Sequence, residues 1–221
     1  MSGTRIAVVD YRAGNLTSVL KGLRAAGAEP MVTSGPGDLA MAGGVVIPGV
    51  GHFSATAALD GPMRQALLSF AASGRGVLGI CLGLQFLFDS STEAPGVPGL
   101  GLLPGECTLL PSAAGLKVPH VGWNSLSIRP GSVLLDGVAT GAQVYFTHSY
   151  AAPVTDATVA IAEHGAPFAA AVERGNLFGV QFHPEKSSDT GLRILRSFVR
   201  ACGSPDSAIP RFPDSPISRS C

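Results

Sequence analysis

The apolar residues Val77 to Ile80 run into Gly79-Ile80-Cys81-Leu82-Gly83-Leu84-Gln85 and on into a second apolar run, Phe86 to Phe88. Short apolar runs on either side of a small-residue joint read as a buried strand feeding a helix. A Gly-x-nucleophile-x-Gly turn presents its central side chain on a tight elbow, and its two glycines remove β-carbons that would collide there. Cys81 is thereby expected at a helix N-terminus, where unpaired N–H groups and the macrodipole favour a thiolate.

Further along stands His183-Pro184-Glu185. On an extended segment, residues two apart face the same side, so Glu185 is expected to orient the His183 ring and favour its charged form. Each fragment alone has a bland reading. A lone cysteine among apolar residues is commonly an inert core thiol, and His-Pro-Glu can be a strand end beside a surface acid. Together, with the glycine spacing intact, they point to a cysteine nucleophile served by a histidine base and an orienting acid.

The rest of the chain supplies a frame for this elbow. Arg5 to Val9, Met31 to Thr33, Gly44 to Ile47 and Val77 to Ile80 read as strands. Asn15 is a plausible N-cap for an amphipathic helix ending at Gly27, and Gln65 to Ser73 reads as another helix. Strands alternating with helices imply a three-layer α/β fold with a mostly parallel central sheet, and chemistry at the carboxyl ends of its strands. Pro48-Gly49-Val50-Gly51-His52 and Cys81 both fall there. The second half changes to short β-like segments at 107–110, 123–128, 143–147, 157–162, 168–173 and 177–182, which add antiparallel strands. Glu173-Arg174-Gly175-Asn176 reads as a hairpin turn. Leu192 to Ala201 is a final helix capped by Ser187 or Ser188. After Gly203 the composition shifts to Ser, Pro, Asp and Arg, so residues 1–203 read as one domain and 204–221 as a disordered tail.

The 221 residues are 46% apolar and 14% charged, with zero formal net charge. That balance argues against electrostatic binding to nucleic acid or an anionic membrane. It also leaves some of the surface apolar, as on proteins that cover part of it with a partner. The N-terminal residues show no cationic stretch with a long apolar core, which predicts neither secretion nor membrane spanning. The cysteines at 81, 107, 202 and 221 lack the close pairing of a zinc site or redox couple. No metal or cofactor is expected, and a reducing cytoplasm is.

Other residues cluster around the elbow in function. Gly49-Val50-Gly51 allows close backbone approach, and beside Cys81 it reads as an oxyanion donor partnered by the N–H of Leu82. Gln85, one turn past Cys81, is either a pocket amide, a cap or a surface residue. Tyr145-Phe146-Thr147-His148-Ser149-Tyr150 ends a strand in a polar cluster. His148 has no orienting acid as near in sequence as Glu185 is to His183, which favours His183 as the base. The only Trp, Trp123, lies in Pro119-His120-Val121-Gly122-Trp123-Asn124, read as a surface loop with an aromatic anchor for a partner.

These segments resemble the class I, triad-type glutamine amidotransferases. The signals common to that family are Gly79-x-Cys81-x-Gly83-x-Gln85 and Gln181-Phe182-His183-Pro184-Glu185. Asp10-Tyr11-…-Gly14-Asn15, Pro48-Gly49-Val50-Gly51, the Pro119–Asn124 and Tyr145–Tyr150 runs and Lys186-Ser187 are similar to the branch that works with a β/α-barrel cyclase. The match runs from Arg5 to Ala201. It departs at Arg12, where Gly is expected, and at Leu84 and Val121, where Met is common. The last two are tolerable apolar swaps, whereas Arg12 is expected to alter a loop that meets the partner.

The resemblance implies a flavodoxin-like fold and a defined reaction. Cys81 attacks the side-chain amide of glutamine, and His183 and Glu185 complete the triad. Gly49, Val50, Gly51 and Leu82 meet the oxyanion, while Gln85 and the backbone of His148, Ser149 and Tyr150 hold the substrate's α-groups. Ammonia passes to the cyclase as a heterodimer partner, which makes imidazole glycerol phosphate and aminoimidazole carboxamide ribotide in histidine biosynthesis. Asn15, Trp123 and Lys186 lie at that interface. A glutaminase serving another synthase, such as aminodeoxychorismate or anthranilate synthase, and a non-catalytic scaffold of the same fold stand as alternatives.

Overall fold

The computed structural model describes residues 3–112 and 116–203. The tail read at 204–221, with Cys221, lies outside the described residues. The first half alternates β1 (Thr4–Val9), α1 (Leu16–Ala25), β2 (Ala28–Thr33), β3 (Gly44–Gly49), α2 (Pro62–Ala72), β4 (Gly76–Cys81) and α3 (Leu82–Phe86). Strands then dominate: β5 (Ser90–Ser91), β6 (Glu106–Leu109), β7 (His120–Ser125), β8 (Ser127–Ile128), β9 (Gln143–His148), β10 (Tyr150–Ala151), β11 (Thr158–Glu163), β12 (Pro167–Arg174) and β13 (Leu177–Val180). Helix α4 (Ser188–Gly203) closes the described chain. Among the described residues no helix is long and apolar enough to cross a membrane.

The central sheet runs β2-β1-β3-β4-β13-β12-β11-β8. Strands β2 through β13 in that order are mutually parallel, and β12, β11 and β8 extend the sheet with antiparallel pairings. The expected mostly parallel α/β sheet with added antiparallel strands is therefore what forms. Side chains alternate across it with a period of two. Ile6, Val8, Val46, Leu78, Ile80 and Phe178 face α1 and α4, meeting Leu23, Ile194 and Phe198. Ala7, Val9, Val45, Ile47 and Val77 face α2 and α3, meeting Leu67, Phe70, Leu84 and Phe86. Two apolar layers thus clamp the strands whose carboxyl ends carry the site.

Local signals explain the element boundaries. The Asn15 side chain accepts from the Ser18 N–H at 3.4 Å and starts α1, and Gly27, with φ +92°, ends it. The two-residue turn Gly175-Asn176 closes the β12–β13 hairpin, since Arg174 pairs with Leu177 and Gly175 has φ +58°.

Three sequence readings need correction. Helix α4 starts at Ser188 rather than Leu192. Ser187, one of the two cap candidates, directly precedes it: its carbonyl accepts from the Gly191 N–H at 2.9 Å, while its hydroxyl donates to the His183 carbonyl. Pro119–Asn124 is not a loop from His120 onward: it forms β7, paired antiparallel with β9, so Trp123 is exposed on a strand. His183 is extended, but Pro184–Lys186 is a 3-10 turn. Proline has no N–H to give a strand ladder and fits the first position of a turn, so the extension ends at His183.

Candidate active site

Cys81 ends β4 and begins α3 with φ +53° and ψ −104°, a conformation that a non-glycine residue adopts only under constraint. The constraint is packing on both sides of the elbow. A β-carbon on Gly83 would overlap the Ile47 carbonyl of β3, and one on Gly79 would overlap the Gly83 backbone. The elbow therefore presses against β3 as the glycine spacing predicts. Helix α3, however, spans only five residues. Its macrodipole is correspondingly short, and less of it bears on Cys81 than the sequence implies.

Opposite Cys81 stand His183 and Glu185, the candidate base and its orienting acid. Nδ1 of His183 lies 2.8 Å from Oε1 of Glu185, with both side chains 2% exposed. The 3-10 turn brings the carboxylate back under the ring, so the pairing expected from an extended segment is reached by a different backbone. The Lys186 N–H bonds the His183 carbonyl at 3.0 Å and the His183 N–H bonds the Tyr145 carbonyl at 2.9 Å, which fixes the segment. Nε2 of His183 is buried and closes no hydrogen bond of ordinary geometry. Burial pushes the imidazolium down, but the interactions with Cys81 and then Glu185 outweigh it and hold the ring raised to about 9. The His183 ring is thereby held toward its charged form.

The sheet order, rather than any local spacing, brings these parts together. Strand β13 pairs parallel with β4 through Val180 and Ile80, so the residues just beyond, Gln181 to His183, stand beside Cys81. Nε2 of Gln181 is 3.6 Å from the Cys81 sulfur. Gln85 is buried and is neither a cap nor a surface residue: its Nε2 donates to the Tyr150 carbonyl at 2.8 Å and to Oε1 of Gln181 at 3.3 Å. The Thr147 carbonyl lies 4.0 Å from the sulfur.

The glycine loop sits at the same end. Gly49 is in register with Cys81 across β3 and β4. Gly51 has φ +98°, and Val50 is exposed. A β-carbon on Gly49 would meet the hydroxyl of Tyr11 and the Leu82 side chain. That hydroxyl is buried without a partner, and burial followed by the Cys81 charge keeps it protonated. The sequence reading did not assign Tyr11 a place in the site.

The β7–β9 ribbon has two faces. Its outer face carries Val121 and Trp123, both more than half exposed. The Trp123 ring meets Tyr145 edge-on at 6.1 Å, and the Lys186 ammonium lies 5.8 Å from the centre of that Tyr145 ring. Asn15 is exposed at the start of α1. The inner face carries His120 and His148, both buried. His148 is not aimed at Cys81 as a base, because its Nδ1 donates to the Tyr150 carbonyl at 2.9 Å. Ser149 gives its carbonyl to the Leu110 N–H at 2.8 Å. Sequence reasoning missed the Gln181–Cys81 contact and the His120–His148 pair, since both depend on which strands become neighbours.

The chain is similar to known proteins over most of its length. The glutamine amidotransferase class-I family matches residues 7–202. The imidazole glycerol phosphate synthase subunit HisH of Gloeobacter violaceus is 49% identical over 209 residues, covering 92% of this chain and 92% of that protein. The protein of the same name from Methanothermobacter thermautotrophicus is 48% identical over 196 residues, covering 88% and 97%. Among solved structures, a glutamine amidotransferase superposes with a TM-score of 0.71 at 17% identity, covering 90% of this chain and 99% of that one. At that identity the likeness is one of fold.

Proposed function

The chain belongs to the class-I glutamine amidotransferase family, and from that premise we propose that it is the glutamine-hydrolysing subunit of an imidazole glycerol phosphate synthase. The observation that carries the chemistry is the strained Cys81 elbow facing a buried His183–Glu185 pair. The Cys81 thiolate attacks the side-chain amide carbon of glutamine, and the electron pair of the C=O bond moves to oxygen. The N–H groups of Val50 and Leu82 receive that oxyanion; one such donor is worth about 3 kcal/mol in the transition state. His183 gives its proton to the departing nitrogen, ammonia leaves, and a glutamyl thioester remains on Cys81. The neutral ring then takes a proton from water as it attacks, and collapse releases glutamate and restores the thiolate.

In this reading the substrate's α-groups lie near Gln85 and the backbone of His148, Ser149 and Tyr150. Both amide protons of Gln85 are already engaged, so its contact to substrate goes through the carbonyl oxygen. The partner is a β/α-barrel cyclase that takes the ammonia and makes imidazole glycerol phosphate and aminoimidazole carboxamide ribotide. Asn15 and the exposed Trp123, Tyr145 and Lys186 group form the docking face. The amidotransferase domain spans 1–203, with 204–221 outside it. Free thiols at Cys81, Cys107 and Cys202 are in keeping with a reducing cytoplasm.

We further propose that the isolated chain is a poor glutaminase, switched on when the partner favours the competent arrangement of the Gly49-Val50-Gly51 backbone. The test is steady-state glutamate release by the purified chain, alone and with the ligand-loaded cyclase. Release that rises with the cyclase and is coupled to its product supports the assignment. Full release without it refutes the switch, and release stimulated only by a different synthase refutes the partner.

A further inference from the structure

Cys81 needs more support than its elbow supplies. Its side chain is nearly closed to water at 5% exposure, and the helix behind it is a single short turn. A sulfur anion so placed depends on hydrogen-bond donors aimed at it. We infer that Gln181 is a further residue of the reaction, donating its side-chain N–H to the Cys81 sulfur, and that a buried hydrogen-bond chain through Gln85, the Tyr150 carbonyl, His148 and His120 holds it there. The inference rests on the reading of Cys81 as the nucleophile.

The direction of every link is fixed. The Tyr150 carbonyl can only accept, and it takes protons from Gln85 Nε2 at 2.8 Å and His148 Nδ1 at 2.9 Å. Gln85 thereby presents its nitrogen to Gln181 Oε1 at 3.3 Å. Gln181 must then turn its own nitrogen to the sulfur, 3.6 Å away. On the other side, a His148 that donates through Nδ1 carries its lone pair on Nε2. His120 Nδ1 donates to that lone pair at 3.1 Å, and His120 Nε2 accepts from Asn124 at 3.3 Å. The second Asn124 proton goes to the Glu163 carbonyl at 2.9 Å. Charging either ring would set donor against donor.

The surroundings of the pair weigh against that charge. Phe146, Phe168 and His164 pack against the two rings. Burial, followed by His164, lowers His120 to about 4. Burial also dominates at His148, lowered to about 3 with the neighbouring histidines adding to it, against the Tyr150 hydrogen bond. Gln181 is wholly buried, so no water replaces its amide at the sulfur.

The experiment is alkylation of Cys81 by iodoacetamide as a function of pH in the full chain, read by mass spectrometry on the Cys81 peptide. On the rising limb, Gln181→Met should react about tenfold more slowly than wild type, the loss expected when an ion loses one hydrogen bond. The plateau at high pH should be unchanged, because the sulfur is ionised there whatever its donors. Gln85→Met removes the holder but leaves the donor, and should shift the limb the same way by less. An unmoved limb in folded variants overturns the inference, as does a plateau that falls in step with the limb. Should Gln181→Met not fold, wild type suffices: the Gln181 side-chain amide resonances should move when Cys81 ionises or is alkylated, and resonances that stay still overturn the inference. Alkylation needs neither glutamine nor a partner, so a chain that proves not to hydrolyse glutamine still tests this contact.

Discussion

Glu185→Gln keeps the shape of the acid that holds His183 and removes only its charge. The carboxylate lies 2.8 Å from Nδ1, and neither side chain is more than 2% exposed, so water screens the pair little. The raised titration of His183, from 6.5 to about 9, corresponds to about 3 kcal/mol favouring the charged ring. Burial opposes the charge, and the interactions with Cys81 and then Glu185 together outweigh it. A hydrogen bond to an ion is worth about 1 kcal/mol more than a neutral one, so the charge on Glu185 accounts for about fivefold in the charged-to-neutral ratio of the ring. The expected result is a kcat/KM about fivefold lower on the alkaline limb and little changed near neutral pH, where the ring stays charged. His183→Ala, which removes the proton shuttle itself, should cost about 10²- to 10⁴-fold. The sign with pH follows from a folded-state value above the unfolded one. His183 stabilises the fold fully below about 6.5, and that contribution is lost as pH rises through about 9. In Glu185→Gln both the alkaline limb of the rate profile and the alkaline fall in Tm should move to lower pH. Oε2 of Glu185 is buried without a partner, so the new amide nitrogen also carries a desolvation cost, visible in Tm at every pH. Rate and Tm measured from pH 6 to 10 on the three proteins decide the matter. Equal losses in the two variants, or an alkaline limb that stays in place, would refute the orienting role.

Cys81→Ala should abolish glutamine hydrolysis while the complex still makes product from free ammonia; glutamate release by a clean preparation would sink the nucleophile. Arg12 has φ +63°, so Arg12→Gly should relieve about 1–2 kcal/mol of left-handed strain, less about 0.5–1 kcal/mol of added chain entropy. A lower Tm for that variant would contradict the account. Trp123→Ala should cost about 1 kcal/mol of stability, the scale of its edge-on contact with Tyr145, yet weaken activation by the cyclase more than that; a titration unchanged from wild type would place docking elsewhere. Deleting 204–221 should leave Tm and activity nearly unchanged, and a drop of about 3 °C or more, near 1 kcal/mol for a domain of this size, would show that the segment docks.

Much of the molecule is dictated by residues close in sequence. The elbow at Cys81 follows from Gly79 and Gly83, because no other residue leaves room against the Ile47 carbonyl. The start of α1 follows from Asn15, and the β12–β13 hairpin from Gly175-Asn176. At Arg12, where the resemblance leads to an expectation of glycine, the structure adds what the sequence reading did not state: the residue takes the left-handed conformation that glycine tolerates best. Pro184, by contrast, was read as part of an extended segment, although a residue without an N–H is also suited to start the 3-10 turn that forms there.

What pattern alone left open depends on strand order and on which face of a strand turns inward. Gln181 meets Cys81 because β13 returns to lie beside β4. His120 and His148 become a neutral pair because β7 and β9 align them in register. The same alternation along β7 turns His120 inward and Trp123 out, so one short run serves both the buried hydrogen-bond chain and the exposed face. Local propensity sees each residue with its sequence neighbours, whereas a hydrogen bond between strands requires a register fixed only when the whole sheet packs. The sequence by itself therefore singled out Cys81, His183 and Glu185 as the candidates for nucleophile, base and acid. The tertiary structure alone decided which buried amides and rings surround the sulfur, because those partners come from strands far apart in the chain.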